Sequence, residues 1–212
     1  MGIKERKEKH KENLRQSILD AAKKLFLSEG YDATSIRKIA AEIEFSPTTI
    51  YLYYKDKAEI AHALHVEGFK LLATQFGVLQ FVKDPFERLK AMGEIYLRFA
   101  LENSDFYELM FVLKEPIAHL KGSCVYENWE EGEQAFQALL YNVSACQQAG
   151  YFKNLDTTAV SMIAWSTLHG LCTLKLHGHI DHMSSHEPSL QQMEDIVKQS
   201  YNTFMVMLER IK

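Results

Sequence analysis

Apolar residues recur at helical spacing along nearly the whole chain of 212 residues. The first clear set falls three or four residues apart and lines one helical face: Leu14, Ile18, Ala22, Leu25 and Phe26. Gly30, a residue that suits the position just after a helix, ends this segment. No stretch alternates between apolar and polar residues for long enough to predict a strand. The pattern therefore predicts an all-α protein of about nine helices.

Residues 35–57 predict two short helices joined by a tight turn. One apolar face of the first helix contains Ile36, Ile39, Ala40 and Ile43. Ser46 is a good N-cap, and Pro47 suits the first position of a second helix that reaches about Tyr53. Asp56 then caps a third helix, and Glu59 completes its capping box.

The second of these helices turns Ile50 inward and leaves hydroxyl-bearing side chains on its outer face. Those outer residues are Thr48, Thr49, Tyr51 and Tyr53. An ordinary helical hairpin would carry Glu, Lys and Gln there instead. Hydroxyls and aromatic rings on that face are typical of a DNA-binding helix-turn-helix, in which the second helix enters the major groove.

The apolar and hydroxyl positions continue on both sides of this motif as Ile18-x2-Ala21-Ala22-x2-Leu25-Phe26-x3-Gly30-x3-Thr34, Ile39-Ala40 and Ser46-x2-Thr49-Ile50-Tyr51-x-Tyr53-Tyr54-x2-Lys57. This pattern resembles the DNA-binding domain of the TetR family of bacterial regulators over about residues 14–60. One position departs from the family: Glu44 stands at the turn where Gly is usual. Because Glu enters a left-handed backbone conformation only at a cost, the turn is expected to be strained or reshaped.

The resemblance implies a role for each matching residue. Thr48 and Thr49 would touch base edges or adjacent phosphates, and Tyr51 and Tyr53 would contact the DNA backbone. Lys57 would bind a phosphate at the start of the helix that links the two domains. The residues expected to grip the flanking strand are Ser35, Arg37 and Lys38. Tyr54 is expected to pack inside.

Later helices are marked by their start signals. A linking helix is predicted from Asp56 to about Leu79, and Asp84-Pro85-x-Glu87 is a cap and capping box for the next. Ser104 is a candidate cap for a short helix that ends before Pro116. Asp156 opens a helix that runs to about Leu176, and Ser189 opens the last.

Residues 84–180 resemble one C-terminal subgroup of the family through Asp84-Pro85, the 96–100 and 104–111 stretches, and Trp165-x3-His169-Gly170. The resemblance implies a helix-turn-helix domain at 1–57 and a helical ligand-sensing and dimerisation domain at 58–212. It also implies a homodimer through the helices near 157–177 and 190–210. Candidate side chains for a small, largely apolar or aromatic ligand are Tyr96, Phe99, Met110, Trp129, Phe136, Trp165 and His169, although aromatic residues at helical spacing more often form core.

Charge is distributed unevenly. Residues 1–57 contain 12 Lys and Arg against 9 Asp and Glu, whereas the remainder contains 12 against 19. A basic end on an acidic body fits a protein that touches phosphates with one part only. In the family the N-terminal arm sometimes contacts phosphates, but here Glu5, Glu8 and Glu12 interleave with the cations of residues 4–11. We therefore expect salt bridges four residues apart along a helical surface there.

Other chemistry is sparse. Cys124, Cys146 and Cys172 are widely spaced, which favours reduced, buried thiols over a disulfide or zinc site. The segment from His177 to His186 has enough imidazoles for a metal-responsive regulator, the alternative function, but its composition is that of a solvated loop. No phosphate loop, GxSxG or HExxH occurs, so we expect no enzyme and no cofactor.

The sequence thus predicts a cytoplasmic homodimeric regulator, since neither a signal peptide nor an apolar run long enough for a membrane helix is visible. In the family such proteins are most often repressors. A ligand in the body would tilt the linking helix and change the spacing of the two reading heads. A dimeric interaction module with weakened DNA binding, suggested by Glu44, is a further alternative.

Overall fold

A computed structural model describes residues 2–113, 130–187 and 195–211, and every regular element in these ranges is helical. The all-α prediction is confirmed. There are ten α-helices in the described ranges, close to the number expected. None of these described helices is long and apolar enough to cross a membrane.

The helices are numbered here in chain order. Those before residue 80 are α1 Ile3–Glu29, α2 Ile36–Glu42, α3 Pro47–Tyr51 and α4 Lys57–Phe76. The middle ones are α5 Pro85–Glu102, α6 Ser104–Tyr107 and α7 Glu130–Gln148. The last are α8 Thr157–Leu176, α9 His179–His186 and α10 Ile196–Glu209. A 3₁₀ turn (Gly77–Phe81) follows α4, and one π turn (Glu108–Val112) follows α6.

The described residues form two packed units. Unit 1 takes its residues from 1–70 and 105–131, and unit 2 from 71–104 and 132–212. The expected division into a helix-turn-helix domain at 1–57 and a ligand-sensing domain at 58–212 stays a prediction. In unit 1 the predicted apolar face of α1 is buried, with Ile18 and Ala22 fully inaccessible, and α2 packs against both α1 and α3.

Local start and stop signals placed several helices correctly. Asp84 Oδ1 accepts from the Phe86 and Glu87 N–H groups at 3.0 and 2.9 Å, which caps α5. Asp156 Oδ1 accepts from the Ala159 N–H at 2.8 Å and caps α8. Each cap satisfies N–H donors that have no partner within their helix. Gly30, at φ 88, ends α1 as expected.

Two predicted helix ends and one predicted loop differ from the structure. The linking helix leaves α geometry at Phe76 and tightens into a 3₁₀ turn, a common way to end a helix. α3 stops at Tyr51, because Leu52 and Tyr53 already form a turn. His179–His186, expected in a loop, is helical. The Ser189 start lies outside the described residues; the described part of the last helix begins at Ile196, capped by Asp195.

In unit 2, α5 packs on α8, and α8 packs on α9 and α10. Tyr201 of α10 is buried and donates a hydrogen bond to the Lys90 carbonyl oxygen of α5. Its ring lies directly over Gly93, where a side chain would collide: a Cβ there would fall 2.7 Å from the Tyr201 hydroxyl oxygen. Gly93 therefore permits the close approach of α5 and α10.

Candidate functional site

The turn between α2 and α3 takes the conformation that the helix-turn-helix requires. Glu44 has φ 59, in the left-handed region. The Phe45 N–H donates to the Ala40 carbonyl at 2.9 Å, and the Glu44 N–H donates to the Ala41 carbonyl at 3.2 Å. This pair of bonds is the Schellman pattern, with Glu44 at the position where Gly is usual. The turn is therefore strained but not reshaped, which removes the reason for the interaction-module alternative.

The outer face of α3 is open. Ile50 is fully buried, so Thr48 and Tyr51 are turned outward, and Tyr51 is 56% exposed. Ser46 caps the helix by accepting from the Thr49 N–H at 3.2 Å, and its hydroxyl lies 2.9 Å from the Thr49 hydroxyl. The cap thus also orients the Thr49 side chain. Tyr53 lies just after the helix and is half-buried.

The start of α2 presents a short polar edge. Ser35 is the N-cap, and its hydroxyl accepts from the Lys38 N–H at 3.3 Å. The Lys38 ammonium lies 2.5 Å from a carboxylate oxygen of Glu29, and both side chains are substantially exposed. Arg37 is exposed and makes no hydrogen bond or ion pair with the described residues. The guanidinium of Arg37 is therefore available for phosphate or guanine.

Lys57 is engaged within the protein. Its ammonium donates to the carbonyl oxygens of Tyr31 and Thr34 at 2.6 and 2.9 Å and lies 4.0 Å from the centre of the Tyr31 ring. Burial lowers the pKa of this ammonium, and the Asp32 carboxylate opposes that shift. The side chain ties the start of α4 to the connection between α1 and α2. A phosphate contact, which stays a prediction, would have one N–H left to use.

Tyr54 packs inside, as expected. Its ring is buried, and its hydroxyl oxygen accepts from Arg15 Nε at 3.2 Å. The Arg15 guanidinium carbon lies 5.2 Å from the centre of the same ring. Burial raises the Tyr54 pKa, and the Arg15 hydrogen bond opposes that shift. This contact fixes the segment after α3 against α1.

Four of the seven candidate ligand residues lie together in unit 2. The Trp165 indole N–H donates to the Tyr96 hydroxyl oxygen at 3.1 Å, and that hydroxyl lies 3.4 Å from His169 Nδ1. The Phe136 and Trp165 rings have centroids 6.0 Å apart. Tyr96 is buried and the other three are half-buried. We call Tyr96, Phe136, Trp165 and His169 the aromatic cluster.

The other three candidates make none of these cluster contacts among the described residues. Met110 is in unit 1 and packs so closely on α4 that a Cβ at Gly68 would lie 2.4 Å from its sulfur. Phe99 is fully buried. Trp129 is outside the described residues. Their part in ligand binding stays a prediction.

The two helices expected to dimerise each expose apolar side chains. α8 buries one stripe, Val160, Ala164, Leu168 and Cys172. On another face it exposes Met162 and Ile163, the latter by 59%. α10 buries Tyr201 and Met205 yet exposes Val206 and Met207, the latter by 61%. Both helices thus bury one set of apolar side chains within the chain and leave others exposed.

The histidine segment offers two neighbouring imidazoles. His182 and His186 lie one turn apart on α9 with ring centroids 4.9 Å apart, while Asp181 pairs with Lys175 at 2.5 Å. Among the described residues no group of three or more His, Cys, Asp or Glu side chains is placed to hold a metal ion. Cys146 and Cys172 are buried free thiols, as expected, and burial raises their pKa values to about 11 and about 12. Cys124 is outside the described residues.

Two family descriptions match the chain. One, for bacterial regulatory proteins of the tetR family, matches residues 18–64. The other, for the tetracyclin repressor-like C-terminal domain, matches residues 89–197. Together they cover both the helix-turn-helix and most of unit 2.

Curated relatives agree over part of their length. An HTH-type transcriptional regulator of Staphylococcus aureus strain bovine RF122 is 30% identical over 93 residues, which are 42% of this chain and 49% of that protein. A second, from strain USA300, is 30% identical over 97 residues, 44% of this chain and 50% of that protein. The chain therefore spans about half the length of the curated relatives it matches.

Solved structures share the fold at low identity. PfmR, a TetR family transcriptional regulator from Thermus thermophilus, is 21% identical with a TM-score of 0.69, covering 92% of this chain and 97% of that one. AibR in complex with isovaleryl coenzyme A and operator DNA is 20% identical with a TM-score of 0.70 and the same coverage. FadR from Bacillus halodurans, a fatty acid degradation regulator, is 17% identical with a TM-score of 0.69, covering 93% and 97%.

Proposed function

We propose, from the premise that the chain belongs to the TetR family of bacterial transcriptional regulators, that it is a homodimeric repressor released from its operator by a small, largely apolar or aromatic ligand. The family is one of DNA-binding regulators and not of enzymes. The observation that carries the proposal is the open outer face of α3 above a fully buried Ile50. That face presents hydroxyls and an aromatic ring on a rigid, capped support.

Two kinds of DNA contact are assigned. Thr48 and Thr49 are assigned to base edges and adjacent phosphates, and Arg37 to a phosphate or a guanine edge, because short hydroxyls and a guanidinium fork suit these partners. Tyr51, Tyr53 and Ser35 are assigned to the sugar-phosphate backbone. Lys38 and Lys57 add charge at the same edge, each already engaged by a protein partner.

Ligand binding is assigned to the aromatic cluster. Its rings supply an apolar wall, while the Tyr96 hydroxyl and the Trp165 indole supply a hydrogen-bonded polar point, the combination usual in small-molecule sites. The Trp165-x3-His169-Gly170 pattern would place the chain in one C-terminal subgroup of the family. AibR is described with isovaleryl coenzyme A, which makes an acyl thioester a reasonable first probe for this chain.

Dimerisation is assigned to α8 and α10. The exposed apolar residues of both helices support this assignment, because burying such side chains between two copies would remove them from water. A two-fold dimer would also present two α3 helices to a palindromic operator. Such a regulator would act in the cytoplasm, where its operator lies.

The experiment is fluorescence anisotropy with a duplex from upstream of this protein's own gene, beside an unrelated duplex of equal length. The Arg37→Ala/Tyr51→Ala variant should weaken binding at least tenfold and lower the salt dependence. Arg98→Ala/Tyr141→Ala, which changes the same residue types at exposed positions of unit 2, should not. Equal affinity of the wild type for both duplexes would contradict sequence-specific regulation.

The ligand arm uses the same complex. Isovaleryl coenzyme A, and decanoate as a plain acyl probe, are titrated into the bound state while anisotropy is followed. A probe that releases the wild type but not Trp165→Phe would support the aromatic cluster as the site. Release that is unchanged in Trp165→Phe and in Tyr96→Phe would move the site elsewhere.

A further inference from the structure

Histidines are concentrated near the end of α8 and along α9. Four of the nine histidines of the chain fall within ten residues: His177, His179, His182 and His186. All four side chains are exposed, and the proposed function gives none of them a role. The composition of this segment suggested a solvated loop, but residues His179–His186 form a helix. A helix fixes the relative positions of its side chains, so the imidazoles can be considered as a geometric set.

His182 and His186 are spaced as two ligands of one metal ion. Residues four positions apart lie one above the other on the same helical face. The centroids of the two imidazole rings are 4.9 Å apart. Two imidazoles that share one Zn²⁺ ion, each with its nitrogen about 2.0–2.1 Å from the metal, have ring centroids about 5 Å apart. The backbone of α9 therefore already holds the pair at the separation that a shared ion requires.

The surroundings of this pair allow a cation to bind. Neither ring makes a hydrogen bond or an ion pair with the described residues, so binding a metal would break no contact of that kind. His186 is the last residue of α9, and the C-terminal end of a helix favours positive charge. The neighbouring Asp181 carboxylate pairs with Lys175 at 2.5 Å. We therefore count only the two imidazoles as ligands from the protein.

We propose that His182 and His186 form a two-histidine site for one divalent ion of the nickel, copper and zinc group, with water in the remaining coordination positions. Imidazole nitrogen suits these ions, whereas Mg²⁺ and Ca²⁺ prefer oxygen ligands. The site needs no third protein ligand, and the described residues contain no group of three or more that could hold a metal. The inference does not depend on the proposed function.

An ion at this site stabilises α9. It joins two successive turns of a helix of eight residues, a length that is marginal without tertiary support. α9 packs on α8, and Ile180 is its buried side chain. Because an unfolded chain does not hold the two imidazoles at this spacing, the ion binds the folded state more tightly and stabilises it by mass action.

The test is isothermal titration of NiCl₂ into the full chain, prepared without added histidines. His182→Ala/His186→Ala removes the proposed ligands. The matched control, His177→Ala/His179→Ala, removes two exposed histidines of the same segment that are only two residues apart and so do not face each other on a helix. Wild type and control should each bind one ion per chain. The ligand variant should lose at least about tenfold in affinity, because the second imidazole otherwise binds intramolecularly once the first is bound.

Single variants distinguish a shared ion from separate imidazoles. His182→Ala and His186→Ala should each lose nearly as much affinity as the double variant, since one imidazole cannot chelate. Equal losses in the ligand variant and the control, or a half-loss of sites in each single variant, would overturn the proposal and indicate adventitious binding by separate surface histidines. Absence of binding to the wild type would overturn it as well.

Urea unfolding gives a second measurement. NiCl₂ should raise the midpoint for wild type and control but not for the ligand variant, and MgCl₂ should raise none of them. An equal rise in all three proteins would contradict a site at His182 and His186. Alanine has a higher helix propensity than histidine, so the variants should keep α9, which circular dichroism checks.

Discussion

Replacing Glu44 with glycine should stabilise the protein. The residue has φ 59, a backbone conformation that costs a non-glycine residue about 1–2 kcal/mol. Glycine removes that cost but loses about 0.5–1 kcal/mol more conformational freedom on folding. The net expectation is a gain of about 0.5–1 kcal/mol. The exposed Glu44 side chain makes no hydrogen bond or ion pair with the described residues, so nothing is lost with it.

The measurement is urea unfolding followed by helical circular dichroism, with wild type and variants at equal concentration. A stability change appears as a shift of the midpoint at constant slope. Glu44→Ala is the matched control: it also removes the carboxylate but keeps Cβ and therefore the strain. We expect Gly above wild type, Ala at or below wild type, and Asn between Ala and Gly, because Asn tolerates this conformation better than most residues.

One order of stabilities would contradict a strained turn at Glu44. If Glu44→Gly were no more stable than Glu44→Ala, the backbone conformation of the turn would not be strained, and any effect would belong to the lost charge. DNA affinity provides a second check. Since the Schellman bonds already hold the turn, Gly should leave α3 in place and change affinity little.

Three further outcomes follow from single residues. Gly93→Ala should destabilise by about 1–3 kcal/mol in urea unfolding, because its Cβ would lie 2.7 Å from the Tyr201 hydroxyl oxygen; wild-type stability would contradict that contact. Lys57→Met should cost about 1–3 kcal/mol, because it removes the ammonium from the Tyr31 and Thr34 carbonyl oxygens, of which only the Tyr31 oxygen keeps a backbone donor, and a neutral result would contradict a stabilising role for these bonds. His65 is buried, neither of its ring nitrogens has a hydrogen-bond partner among the described residues, and desolvation lowers its pKa from 6.5 to about 4. Since only the unfolded chain binds this proton between those values, stability should fall by up to about 3 kcal/mol as pH drops from about 6.5 to about 4. His65→Phe should reduce this pH dependence of the free energy of unfolding. If the variant kept the wild-type dependence, His65 would not be its cause.

Local signals were read correctly from the sequence because their physics is local. Asp84, Asp156 and Ser46 each cap a helix through N–H groups two or three residues away, so no tertiary information is needed. Burial of Ile18 and Ile50 also followed from spacing alone. The fold class and the open face of α3 could therefore be predicted.

Features that depend on tertiary packing could not be predicted. Tyr96, Trp165 and Met110 look alike as candidate ligand residues, yet two share a hydrogen bond in unit 2 and the third packs on a glycine in unit 1. The spacing of these residues in the sequence does not distinguish the two environments. Lys57 was assigned to phosphate because of its place at a helix start, whereas the carbonyl groups that hold it lie 26 and 23 residues away in sequence.

The prediction of salt bridges among residues 4–13, at the start of α1, went wrong for another reason. Lys and Glu residues four positions apart suggested salt bridges along this helical surface, but no ion pair joins the charged side chains of residues 4–13 in the described part of the chain. At about 100° per residue, the acids fall on one side of α1 and several cations on the other: Glu5, Glu8 and Glu12 against Arg6, Lys7 and Lys11. That signal is present in the amino-acid sequence, and helical spacing alone is enough to indicate a basic face.

The cations of the proposed DNA surface differ in how easily they can bind a phosphate, because some already have a partner within the protein. Arg37 has no hydrogen-bond or ion-pair partner among the described residues, so binding DNA costs it no protein contact. Lys38 would have to leave Glu29, an exposed pair worth at most about 1 kcal/mol, so the exchange is easy. Lys57 has only one N–H beside its bonds to the Tyr31 and Thr34 carbonyl oxygens, so turning its ammonium toward a phosphate would weaken those bonds, which is costlier. The salt dependence of binding should therefore come mainly from Arg37 and Lys38, and loss of affinity in a Lys57 variant should track its loss of stability.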